Sequence, residues 1–133
     1  MIQSFTDAAI RCQKAGFDGV ELHGAHSYLI CQFLGIITNR RQDEWGGDLQ
    51  GRSKFLREII TSIRQATGPE FLIAVRISPI IEKIGIYLQD SLILANILSK
   101  MEINMIHISC WDVFQEVDDE KAVSYTHLRA HET

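Results

Sequence analysis

Three short apolar runs, each following an amphipathic helical stripe, constrain this chain more than any other feature of its sequence. Residues 4–17 (SFTDAAIRCQKAGF) put Phe5, Ala8, Ala9, Cys12 and Ala15 on one helical face. Ser4, with Asp7 three residues on, predicts a capping box at the start of that helix, and Gly16 predicts its stop. Residues 18–24 (DGVELHG) read as a buried strand. A second stripe, Phe55, Leu56, Ile59, Ile60 and Ile63, predicts a helix ended by Gly68-Pro69. The almost wholly apolar residues 71–78 (FLIAVRIS) follow as a second strand. Residues 90–101 (DSLILANILSKM) predict a third helix capped by Asp90, and residues 104–110 (NMIHISC) a third strand. Residues 25–51 read as one long irregular stretch containing Gly46-Gly47.

Strands separated by helices of this length pair in parallel through right-handed crossovers. Near-continuous apolar strands agree, because parallel strands are covered on both faces. Three parallel strands cannot close on themselves and leave two raw edges. The expected fold is therefore a slice of a larger α/β protein.

Composition removes several function classes. With 46% hydrophobic and 23% charged residues, the 133-residue chain is too apolar for a disordered tail. No apolar run approaches the roughly 20 residues of a membrane span. Residues 1–6 lack the basic and apolar segments of a secretory leader, so the sequence reads as cytoplasmic, with no membrane partner. A net charge of −4 without a basic stripe argues against nucleic acid as a partner. Cys12, Cys31 and Cys110, an odd number at unpatterned spacings, suggest free thiols in a reducing compartment.

Alternation along the strands sorts the chemistry. If Val20 and Leu22 face the helices, Glu21 and His23 face the other side, with His26 and Tyr28 just beyond the strand. The carboxyl end of parallel strands is where such folds place active sites. Two imidazoles and a phenol there can bind an anion and deliver a proton. Plainer readings compete: a His23–His26 metal pair lacking a third ligand, histidines satisfied structurally, and Tyr28 as a core aromatic. On the second strand Val75 and Ile77 face the helices, leaving Ala74, Arg76 and Ser78 inside. A cation there needs an anionic or electron-rich partner, either Glu21 on the neighbouring strand or a ligand. On the third strand Ile106 and Ile108 point outward, sending His107 and Ser109 inward. The loop TNRRQDEWGGDLQGR interleaves Arg40, Arg41 and Arg52 with Asp43, Glu44 and Asp48, and reads as self-paired, with substrate contact as the alternative. Gly46-Gly47 would serve a turn with positive φ.

These segments together resemble a known family. GFDGVELHGAHSYLICQFL, TNRRQDEWGGDLQGRSKFLREII and AVRISP, in that order, are similar to the flavin-dependent old yellow enzyme family, nearest its bacterial NADH:flavin oxidoreductase and dienoyl-CoA reductase branches. The resemblance covers residues 5–114. It implies part of a TIM (β/α)8 barrel, about strands 4 to 6 with their helices, with FMN as cofactor and NAD(P)H as reductant. His23 and His26 match the pair that binds the substrate's electron-withdrawing group, His23 also lying against the cofactor. Tyr28 matches the tyrosine that protonates the substrate carbon opposite the hydride, and Arg76 the arginine beside the electron-poor edge of the flavin. The implied partner is a small-molecule acceptor such as an activated alkene, and the parent protein is a possible homo-oligomer.

Some positions depart from the family pattern. Gly35-Ile36 stands where Ser-Pro is usual, which predicts a looser loop. Gly51 precedes Arg52 where Asn is frequent, and Trp45 replaces a tyrosine. The flavin phosphate site and the remaining strands are expected outside this chain, so the isolated polypeptide is expected to be inactive. Two other readings stand beside this one: a truncated, non-catalytic barrel remnant, and a metal-dependent hydrolase using His23 and His26. Residues 1–121 are read as the partial barrel domain. Residues 122–133 resemble translated adapter sequence rather than a continuation, and His127 and His131 receive no role.

Overall fold

The computed structural model describes residues 1–110; the expectation of a non-native tail at residues 122–133 falls outside the described residues. The elements are α1 (Ile2–Lys14), β1 (Gly19–Gly24), α2 (Leu29–Leu34), α3 (Leu49–Thr67), β2 (Leu72–Ile77), a 3-10 turn (Glu82–Ile84), α4 (Leu88–Leu98) and β3 (Met105–Ile108). The strands form one parallel sheet in the order β1-β2-β3. Its register aligns His23 with Arg76, and Arg76 with His107. The α/β architecture with parallel strands is as the alternating pattern predicts.

Burial follows the predicted faces on β1, β2 and α3, whereas Ile108 of β3 and Ala15 after α1, expected on the core side, are exposed. Ile73, Val75 and Ile77 of β2 and Leu22 of β1 are buried against Phe55, Leu56, Ile59, Ile60 and Ile63 of α3. Ala9 of α1, and Leu94 and Leu98 of α4, complete that core. Phe5 joins it from α1 by an edge-on contact with Phe55, their centroids 6.0 Å apart. The opposite face of the sheet carries Glu21, His23, Arg76 and His107, none of them fully buried.

The helix starts differ from the sequence reading. Helix α1 begins at Ile2 behind Met1, without a side-chain cap, and Asp7 accepts from Gln3 Nε2 instead of closing a box with Ser4. Helix α4 begins at Leu88 behind Tyr87; Asp90 lies in its first turn and turns its carboxylate to Arg52. In both cases the helix nucleates earlier than its candidate cap, because apolar packing outweighs the modest contribution of one cap. The cap that does form is Asp48, which accepts from the Gly51 amide at 2.9 Å and starts α3. Gly16 and Gly68 stop their helices with φ of 89° and 81°.

The stretch at residues 25–51 is more ordered than its sequence suggests. It contains α2, and Asn39 ties it together by donating to the Phe33 and Trp45 carbonyls and accepting from the Arg41 amide. The self-paired reading holds for Arg41 with Asp43, and Lys54 of α3 closes on Glu44 at 2.6 Å while lying over the Trp45 ring. Arg52 reaches further, donating to the Leu34 and Gly47 carbonyls and to Asp90. Gly35-Ile36 is not the looser loop predicted. The Ile36 amide donates to Gly85 O at 3.1 Å, a bond proline cannot make, and the Ile37 amide donates to Ile84 O. A Cβ on Gly35 would sit 2.3 Å from Ile84 O, so only glycine allows this approach.

Candidate active site

Four side chains singled out from the sequence converge at the carboxyl ends of the strands. His23 closes the inner face of β1. The chain then turns through His26 and Ser27, whose φ values of 55° and 63° are left-handed although neither is glycine. Such residues cost about 1–3 kcal/mol each and persist where surrounding bonds over-determine them. Here the His26 amide donates to Ser78 Oγ at 3.3 Å and the Tyr28 amide to Ala25 O at 3.3 Å. Tyr28 then stands at the N-cap of α2 in extended conformation, 61% exposed.

This sharp turn brings the rings together. The His23 and His26 centroids are 5.4 Å apart and edge-on, and His23 lies 4.9 Å from the Tyr28 ring. His26 Nε2 lies 2.8 Å from Ser109 Oγ, which also accepts from Arg76 Nη2 at 2.9 Å. Desolvation first, then the Arg76 charge and the His23 ring, hold His26 below its ordinary pKa, so its neutral form is favoured.

Glu21 does not pair with Arg76. It reaches across the sheet to His107 Nδ1 at 2.9 Å. Register does not separate the two, since Arg76 and His107 are level; the Arg76 guanidinium turns toward Ser109, and Glu21 is engaged by His107. Among the described residues Arg76 Nε is buried without a hydrogen-bond partner. A buried cationic donor left unsatisfied beside a site is a group suited to an electron-rich ligand.

The inward direction of Ser109, His107 and Ser78 was readable from alternation, but their bonds were not. Those bonds join residues 52, 83 and 86 positions apart in sequence. Among the described residues no group of three or more His, Cys, Asp or Glu stands close enough to hold a metal ion. No described helix is long and apolar enough to cross a membrane.

Fold and site together define a parallel α/β protein with a cationic, hydrogen-bonding site at the carboxyl ends of its strands. The model of the NADH:flavin oxidoreductase / NADH oxidase family matches residues 1–129, and the chain belongs to that family. It is 42% identical over 111 residues to an NADH oxidase of Thermoanaerobacter brockii, covering 82% of this chain and 17% of that protein. It is 37% identical over 114 residues to an NADPH dehydrogenase of Bacillus pumilus, covering 86% of this chain and 33% of that one. The solved structure of the old yellow enzyme homologue from Zymomonas mobilis superposes with a TM-score of 0.74 at 34% identity, over 82% of this chain and 32% of its own. The chain thus spans between about a sixth and a third of the length of these relatives.

FMN is the cofactor of this family, and the residues present fit it. The unsatisfied Arg76 Nε offers a fixed positive charge and an unused donor. Among the described residues no carboxylate pairs with Arg76, and Glu21 is engaged with His107.

Proposed function

We propose that these residues form part of an FMN-dependent oxidoreductase that takes hydride from NAD(P)H and passes it to an activated alkene or a similar small acceptor. The described strands correspond in this reading to about strands 4 to 6 of a (β/α)8 barrel, and residues 1–121 to part of its FMN-binding domain. The observation that carries the reading is the buried, unpartnered Arg76 Nε beside the His23–His26–Tyr28 cluster. When bound, FMN supplies the hydride relay between the two substrates.

The remaining steps belong to the protein's own side chains. Arg76 keeps a guanidinium charge at every working pH and lowers the cost of negative charge on the ligand beside it. His23 and His26 hydrogen-bond the acceptor's electron-withdrawing oxygen, drawing electron density from the alkene. Tyr28, exposed and against His23, gives its phenolic proton to the acceptor carbon on the side opposite the incoming hydride.

The test separates the two half-reactions in the full-length holoenzyme containing these residues. Tyr28→Phe should leave flavin reduction by NAD(P)H nearly intact and slow enone reduction by about 10²–10⁴, the usual worth of a positioned general acid. Stopped-flow traces in which the NAD(P)H-driven phase falls, and enone reduction does not, would overturn the assignment.

A further inference from the structure

Ser109 stands one position beyond β3, buried, and no step of the proposed hydride chemistry uses its hydroxyl. Its oxygen lies between two groups that chemistry does use, 2.8 Å from His26 Nε2 and 2.9 Å from Arg76 Nη2. Its own amide is fixed by Ile77 O at 2.9 Å, so the hydroxyl is carried by the sheet. The ring it touches belongs to a residue whose backbone is anchored separately by Ser78.

A guanidinium can only donate, so Ser109 Oγ accepts from Arg76. Two arrangements then exist toward His26. The imidazole Nε2–H can donate to the same oxygen, or the serine O–H can donate to a bare Nε2. The first crowds two donors on one oxygen, one of them cationic, and aims the positive end of the ring dipole toward Arg76. The second runs head to tail from Arg76 through Ser109 to His26, each bond polarising the next. Among the described residues His23 of β1 and Arg76 of β2 also face His26, and Tyr28, at the start of α2, packs on His23. Arg76 is the permanent charge among them, and it favours the arrangement that leaves Nε2 unprotonated.

We infer that Ser109 is a positioning residue that relays the Arg76 donor to His26 Nε2, and so fixes His26 in one ring orientation as the neutral tautomer carrying its proton on Nδ1. The inference rests on the proposed acceptor-binding role of His26. It adds which nitrogen of that imidazole is the donor, and it names the residue that decides it. The lowered proton affinity of His26 agrees, because a donor directed at Nε2 stabilises the neutral ring.

The test reads tautomers directly, from long-range proton–nitrogen correlations of the full chain labelled with nitrogen-15 histidine. Sedimented material is read by magic-angle spinning. In the wild-type chain the Nδ1–H form of His26 should exceed the Nε2–H form by about tenfold, the worth of one hydrogen bond within a charged chain. Ser109→Ala should bring the two forms to parity or below and raise the His26 titration midpoint, while the His23 ratio stays fixed. Ser109→Thr, which keeps the hydroxyl, should restore the wild-type ratio; a loss caused only by altered packing would not be rescued this way. A wild-type chain with Nε2–H in the majority, or with the mixture of a free imidazole, overturns the inference. So does an unchanged ratio in Ser109→Ala. The Tyr28→Phe kinetics bear on the hydride chemistry alone, so either test can fail without the other.

Discussion

His26 combines a left-handed backbone, a half-buried ring and a cation across the Ser109 bridge. The burial and the cation favour the neutral imidazole, and a pH dependence of stability follows. A histidine whose folded pKa lies below its unfolded value contributes stability that is complete above the unfolded value, 6.5, and is lost as pH falls below it. The urea midpoint of the chain should therefore drop between about pH 7.5 and about pH 5.5. His26→Gln, which cannot take up a proton, should drop less over the same interval. Equal drops in the two proteins would show that other groups set the slope.

Among the elements, Arg52 joins more of the chain than any apolar contact in its vicinity. It rises from the first turn of α3 with its side chain 5% exposed, and it ends the short α2 by donating to Leu34 O. It also closes the glycine turn at Gly47 O and holds the first turn of α4 through Asp90 at 2.7 Å. The preceding Gly51 has no room for a side chain, since a Cβ there would sit 1.9 Å from Gly46 O. A glycine in place of the frequent Asn is thereby explained by close backbone approach. Arg52→Ala should cost about 3 kcal/mol, near the lower end for a broken buried pair because Asp90 is partly open to water. Arg52→Lys should recover only part of that loss, as one ammonium cannot serve three divergent acceptors. Urea unfolding of the three proteins measures both. Arg64 plays a similar part at the opposite end of the sheet, donating to the Phe71 and Glu102 carbonyls that lead into β2 and β3.

As a whole molecule, the described chain covers one face of its sheet with helices and leaves the other to its polar inner residues. That open face holds the His23, Arg76 and His107 row, and with it the apolar Leu72 and Met105, each about half exposed. In the proposed reading the described residues offer FMN only Arg76 and His23, whereas association costs at least about 4 kcal/mol in lost translational and rotational freedom. The 133-residue chain alone should bind FMN no tighter than about millimolar, which corresponds to roughly 4 kcal/mol, and should not oxidise NADH. Flavin fluorescence during titration and the decay of NADH absorbance check both. A chain that stays yellow through gel filtration and turns NADH over would show that these residues suffice.

The sequence by itself determined three helix–strand units with parallel strands, because the helical and strand periods of its apolar residues are local and each repeats within a few residues. The same alternation placed His23, Arg76, His107 and Ser109 on one face, and the ordered motifs around residues 17–78 carried the family. Tertiary structure decided everything that depends on which strand lies beside which and at what height. It set Glu21 on His107 rather than Arg76, left Arg76 Nε unsatisfied, and put Ser109 between Arg76 and His26. It also overrode the candidate caps at Ser4 and Asp90 and built α2 into a stretch without a clear period. A local pattern fixes the direction of a side chain. Its partner is fixed by register across 80 or more residues of intervening chain, as with the 83 and 86 that separate the two histidines from their bonds, and that register exists only once the sheet has formed.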